Sequence, residues 1–228
     1  MKKNDFLVLT VIALIILPFI LFPAVLSAYN DLNKSHGMLM SFAKFAILAT
    51  FGECLALRIR SGHYNKKGFG IIPRAIVWGF LGLTIKMAFV IFASGTPIFL
   101  KYLGQTNATE VMQNSFSLSK LLVAFSISTA MNLIYAPVMM TLHRITDTHI
   151  IANGGSIYAL FRPIQMRKIF NELDWDSLWN FVFKKTIPFF WIPAHTITFL
   201  LPESMQVLFA AILGIALGVI LSVGMKKV

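Results

Sequence analysis

Two residues of opposite charge interrupt long apolar runs of this chain: Glu53 and Lys86. A charge at the middle of a bilayer costs about 2.5–3.5 kcal/mol on insertion scales, so each needs a partner or a polar path. If the runs that hold them are antiparallel helices, the two lie at comparable depth. They read either as a buried ion pair that sets helix packing or as polar groups lining the interior of a bundle. Asn132 brings amide donors and an acceptor into another apolar run, just before Tyr135-Ala136-Pro137. Its plainer role is an interhelical hydrogen bond. Pro137 frees a backbone carbonyl and can kink a helix toward a cavity. His195 and Thr198 share one helix face at a spacing of three, which suits a lumen-facing stripe as well as a packing hydrogen bond. The chemistry open to this set is passage or binding of a small polar group, or of a proton.

His143, Asp147 and His149 form a second cluster, the first two at helical spacing for a shared metal. No fourth ligand suggests itself and Arg144 adjoins His143, so capping at a membrane surface is the better reading. Neither a metal nor a cofactor is expected. The sequence has no phosphate-cradling glycine loop and no nucleophile elbow, and no enzymatic activity is expected of it.

The elements that must position these residues follow from composition. Of the 228 residues 57% are hydrophobic and 13% charged, where soluble domains carry about a quarter charged residues. One domain of all-α, membrane-spanning type is expected over 1–228. Apolar runs of about 20 residues predict six spans, near 6–28, 41–59, 71–94, 121–142, 178–201 and 204–223. The fifth is the most interrupted, with Lys184 and Lys185 near its start and Pro188 and Pro193 beyond. The first follows Lys2-Lys3, yet its core is long for a signal peptide and Leu26-Ser27-Ala28 lacks a cleavage pattern, which predicts an uncleaved helix. Residues 145–177 are too polar to cross. Trp175, Trp179 and Phe183 recur every fourth residue from the end of that stretch into the next, as in an amphipathic helix at the membrane surface or a ramp into span five.

Loop charge supports this count. With the amino end inside, the inner segments hold Lys2, Lys3, Arg58, Arg60, Lys66, Lys67, Arg74, Arg144, Arg162, Arg167, Lys168, Lys184, Lys185, Lys226 and Lys227. Only Lys34, Lys44, Lys101 and Lys120 fall at outer segments and helix ends. The asymmetry predicts both termini on the cytoplasmic side of a cell inner membrane. The net charge of +11 is thereby an orientation signal, and nucleic acid is not expected as a partner. In span six Ala210, Gly214, Gly218 and Ser222 repeat every four residues, a ridge that lets another helix approach closely, from the same chain or from a second copy.

The hairpin from Trp191 to Ser222 resembles the peroxisomal membrane protein family that includes the mitochondrial inner-membrane protein Mpv-seventeen. Trp191 and Phe199 fall at matching spacing, and Pro202, Leu221 and Ser222 match after a one-residue deletion. His195, Thr198 and Gln206 stand where the family carries glutamine, asparagine and arginine, and the first proline is displaced to Pro193. Tyr135-Ala136-Pro137 is similar to the family's aromatic-alanine-proline step, with Met131 in place of its acid, and Gly52-Glu53 is loosely similar to a glycine-aspartate step. The resemblance implies an organellar or bacterial inner-membrane protein that forms a pore or influences metabolite and redox balance, with span one as an addition to the usual four.

The expectation is therefore a pore or small-solute transport protein. Glu53, Lys86, Asn132, His195 and Thr198 would line its path, and Pro137, Pro188, Pro193 and Pro202 would shape its helices. The alternative is a structural or scaffold protein that assembles, as a homo-oligomer or with another membrane protein, through the ridge of span six.

Overall fold

The computed structural model describes residues 3–224. Its elements in chain order are α1 (Lys3–Leu21), α2 (Pro23–Ser35), α3 (Gly37–Ser61), α4 (Ile71–Tyr102), α5 (Ala108–Val111) and α6 (Leu118–Ala152). A 3₁₀ turn (Ile157–Phe161), α7 (Met166–Glu172), α8 (Trp175–Ser177), a π-helical segment (Leu178–Trp191), α9 (Ile192–Leu200) and α10 (Glu203–Gly224) complete it. The architecture is all-α, and no strand occurs among the described residues. Five helices are long and apolar enough to cross a membrane: α1, α3, α4, α6 and α10. Lys2, Lys226 and Lys227, which entered the charge asymmetry, lie outside the described residues.

The chain divides into two compact units, Met1–Met40 and Ser41–Val228. In the first, α1 stops at Leu21 and not near residue 28. Phe22 takes extended backbone (φ −121°, ψ 101°) because the ring of the following Pro23 excludes it from the helical region. Across this break the rings of Phe19 and Tyr29 meet edge to face, with centroids 5.5 Å apart.

In the second unit α3 and α4 are bound closely because α4 presents glycine. A Cβ on Gly82 would lie 2.7 Å from Phe45 Cβ and 2.8 Å from the Ser41 carbonyl oxygen, and Ser41 Oγ donates to the Gly82 carbonyl at 2.7 Å. The turn between the two helices is held by glycine as well. Gly68 and Gly70 have φ of +82° and +74° and meet Gly155, at +69°, in the turn after α6. A Cβ on Gly155 would come within 2.7 Å of both Gly68 and Gly70 backbone atoms. The end of α3, the start of α4 and the end of α6 are therefore gathered at one end of the bundle.

With 35 residues, α6 extends roughly 52 Å at about 1.5 Å per residue, more than a hydrocarbon core of about 30 Å. It continues through Pro137 to Ala152, so the segment expected to be loop from 145 begins at 153. Its last turns are stabilised by burial: Ile145 packs with Ile169, Leu173 and Leu178, and His149 hydrogen-bonds the Ala159 carbonyl at 2.9 Å. The stretch with the two tryptophans is α8 and the start of the π segment, with Trp175 and Trp179 both exposed.

The expected fifth span is helical throughout but changes winding. In the π segment bonds run five residues back: the Ile192 N–H reaches the Ile187 carbonyl, and Thr186 Oγ1 donates to the Phe181 carbonyl at 3.2 Å. Pro188 within it and Pro193 in the first turn of α9 have no N–H to give, which removes two rungs of an ordinary α ladder. Leu201 then goes extended before Pro202, and α10 starts at Glu203. Phe89, Val123, Ile127, Phe199 and Val207 form the core toward this end, while Ile47, Phe80, Val90, Leu133, Val138 and Ile220 are exposed on the outside of their helices.

Candidate functional site: a polar cluster and a cavity in the bundle

Glu53 reaches from α3 into a cluster built by two helices at helical spacing. Arg74 and Trp78 are four apart at the start of α4, and His143 and Asp147 are four apart toward the end of α6, so each pair lies on one face. Arg74 Nη1 donates to Glu53 Oε2 at 2.5 Å and also to Asp147 Oδ1, while its Nε donates to the Phe69 carbonyl at 2.7 Å. The Phe69 ring covers the guanidinium at 4.5 Å. Trp78 Nε1 and His143 Nε2 donate to Glu53 Oε1 at 2.8 and 3.0 Å. The glycine-bound turn thus carries the carbonyl that aims Arg74, and only 4% of that side chain is exposed.

Glu53, His143 and Asp147 offer ligand atoms within 4.8 Å of one another. The set does not suit a metal, because Arg74 Nη1 already bridges the two carboxylates and supplies the positive charge there. His149, expected beside His143 and Asp147, is turned away to Ala159. The cluster sets two carboxylates against one guanidinium, with the His143 ring hydrogen-bonded to Glu53 beside them.

Glu53 does not pair with Lys86. Lys86 lies about three turns beyond Arg74 on α4 and meets Glu203 at the start of α10, with Nζ and Oε1 2.7 Å apart. Lys86 and Thr198 are not among the residues lining the cavity described below. Thr198 is fully buried and donates to the Ala194 carbonyl of its own helix at 3.0 Å.

A cavity of about 330 Å³ lies between α3, α4, α6, the π segment, α9 and α10. Its walls are mostly apolar and aromatic, with Phe45, Phe89, Met131 and Leu217 among them. Glu53 and His143 meet it at one end and Asn132, Trp191 and His195 along its length. Asn132 is fully buried, and its Nδ2 lies 2.8 Å from the Ser128 carbonyl, 3.1 Å from His195 Nδ1 and 3.2 Å from Ser128 Oγ. Ser128 Oγ donates in turn to the Ile192 carbonyl at 2.7 Å. The Asn132 amide and the His195 ring are hydrogen-bonded through His195 Nδ1, which lies 3.1 Å from Asn132 Nδ2 and 3.2 Å from its Oδ1. His195 stacks on Trp191 and stands edge-on to Phe89, with centroids 5.1 and 5.7 Å away.

Ala210, Gly214 and Gly218 of the small-residue ridge line the same cavity, and a Cβ on Gly218 would stand 3.7 Å from the Gly52 carbonyl of α3. Ser222, the fourth, is buried. Sequence reasoning did not single out Arg74 as a site residue, nor Trp78. Their signal is the spacing of four between a guanidinium and an indole at the head of an apolar run, the same spacing that marked His143 and Asp147. Compared with family models, curated proteins and solved structures, the chain matches none of them.

Proposed function

We propose that this chain is a multi-pass protein of a cell inner membrane that takes a small solute into its bundle cavity and passes it across. The observation that carries the reading is the cavity itself, whose lining includes a polar residue from each of α3, α6 and α9: Glu53, Asn132 and His195. Polar groups held in an apolar helical bundle mark a solute path more often than a surface does. The belt of exposed aliphatic and aromatic side chains around the helices fits a lipid-facing exterior. The π segment counts as a sixth crossing together with α9, and both termini are cytoplasmic. π turns are frequent at functional sites, and this π segment forms a wall of the cavity. The resemblance of the Trp191–Ser222 hairpin to Mpv-seventeen-type proteins supports the same function. Assembly through α10 finds less support, because its ridge is directed at α3 and the cavity within one chain.

The test is flux of a panel of small solutes in reconstituted vesicles. Gly214 is the natural plug, since a Cβ there would meet nothing within 4 Å. Gly214→Phe is expected to cut flux at least tenfold, and His195→Ala to change which solutes pass. Wild-type flux equal to that of empty vesicles would sink the transport reading. The topology is checked separately with an impermeant maleimide on a Cys54→Ser background. Asn65→Cys and Tyr158→Cys should label from one side, Gln113→Cys and Ser204→Cys from the other.

A further inference from the structure

The two ends of the cavity differ in exposure. Among the described residues that line it, only Arg144 of α6 and Phe181 of the π segment are exposed. At the other end Phe45, Ile85, Phe89, Met131 and Ala211 are all buried. Arg144 and Phe181 therefore mark a mouth, and the opposite end is blind.

The helices give the cavity its shape. On α6 the lining residues run from Met131 to Arg144, a rise of roughly 20 Å at about 1.5 Å per residue. Lining residues run lengthwise on α3 and α10 too, from Phe45 to Ala56 and from Ala210 to Leu221. A volume of about 330 Å³ drawn out over that length is a slot, with width for one alkyl chain and not for two.

Polar side chains within the slot already have partners. Asn132 and His195 are bonded to each other, and both oxygens of Glu53 accept from Arg74, Trp78 and His143. The wall left for a ligand is apolar, with Phe45, Phe89, Met131 and Leu217 in it. At the mouth the situation is reversed. The Arg144 guanidinium has no hydrogen-bond or ion-pair partner among the described residues. Lys185, four residues past Phe181, is exposed as well.

We propose that the cavity binds a fatty acid, its carboxylate against Arg144 at the mouth and its chain directed toward Met131. The assignment rests on the cavity being the solute site. A bilayer surrounds an alkyl chain with groups as apolar as the slot does, so burial of the chain alone gives the site little advantage over lipid. Preference comes from the head. A guanidinium offers a carboxylate two parallel N–H donors, repels an ammonium and gains no charge pairing from an alcohol. The single-chain width excludes a two-chain lipid.

Photolabelling of the full chain in phosphatidylcholine nanodiscs tests this, with a hexadecanoate that carries a diazirine at the end of its chain. Label is expected on residues of the blind end, Phe89 and Met131 among them, and to saturate at one per chain. Unlabelled hexadecanoate should suppress it at least tenfold more effectively than hexadecanol or hexadecylammonium. Arg144→Gln is expected to weaken labelling at least fivefold, whereas Lys168→Gln, at an exposed position off the cavity, leaves it unchanged. Label confined to outward side chains such as Phe80 and Val90, equal suppression by the three competitors, or full labelling of Arg144→Gln overturns the proposal. Flux of other solutes that Gly214→Phe blocks would then leave the cavity as the solute site. No label at the blind end, with Gly214→Phe behaving as wild type in flux, overturns both the proposal and the solute reading beneath it.

Discussion

Arg74 is the residue on which most of the polar interior depends. Its one guanidinium serves two carboxylates, and a backbone carbonyl fixes the angle at which it does so. Replacing one partner of a buried ionic network costs more than the network contributes, because the remaining charges stay buried without compensation. Arg74→Met leaves Glu53 and Asp147 confronting each other and is expected to destabilise the protein by about 3–5 kcal/mol. Glu53→Gln, which keeps the Arg74–Asp147 pair and an amide for Trp78 and His143, is expected to cost about 1–3 kcal/mol. Denaturant unfolding in micelles would rank the two, and equal losses would show that Arg74 has no special place. Glu53 was legible as a residue needing a partner, because a lone carboxylate in an apolar run is too costly to bury unpaired. Which partner it takes was not legible. Lys86 and Arg74 both lie on the next helix, and the choice between them is fixed by helix register, by the Phe69 carbonyl and by Asp147 from a third helix. Asn132 and His195 were likewise legible only singly, since their bond joins residues 63 apart.

At the scale of elements, the bundle end that holds this cluster is fastened by glycines, whose demands differ from position to position. Gly154 and Gly155 both adopt positive φ, but a Cβ on Gly154 enters open space and one on Gly155 strikes the 68–70 turn. Gly154→Ala is expected to cost about 1–2 kcal/mol, the left-handed backbone penalty alone. Gly155→Ala should exceed it by at least about 1 kcal/mol through overpacking, as the midpoint of thermal unfolding would show. Similar midpoints would mean that the two turns yield easily. The long helices were visible in the sequence because apolar runs of that length leave no alternative. Their ends were less so: α6 runs ten residues beyond the expected end of its span at 142, since Ile145 and His149 find burial against α7 and the 3₁₀ turn, which no local pattern announces. Pro188 and Pro193 signalled an irregular crossing, but a missing N–H allows a kink as readily as the π winding found over Leu178–Trp191.

For the molecule as a whole, the polar interior is drawn from parts of the chain far apart in sequence. Glu53 and Arg74 are 21 residues apart, whereas Asp147 lies 73 beyond Arg74. That spacing has a consequence for synthesis. A chain growing from the ribosome exposes Glu53 well before anything can neutralise it, and Arg74 arrives with the next helix while Asp147 is still untranslated. Release of α3 alone into lipid would carry an unmatched carboxylate into hydrocarbon, a cost of a few kcal/mol. The two helices are therefore expected to leave the insertion channel as a hairpin. A photo-crosslinker placed at Ile47 of an arrested nascent chain should react with channel protein until residues beyond Arg74 have emerged, and with lipid only afterwards. Early lipid crosslinks would show that α3 departs alone. With Glu53→Gln the delay should shorten, so that one ion pair of the finished fold acts beforehand as a timer on its own assembly.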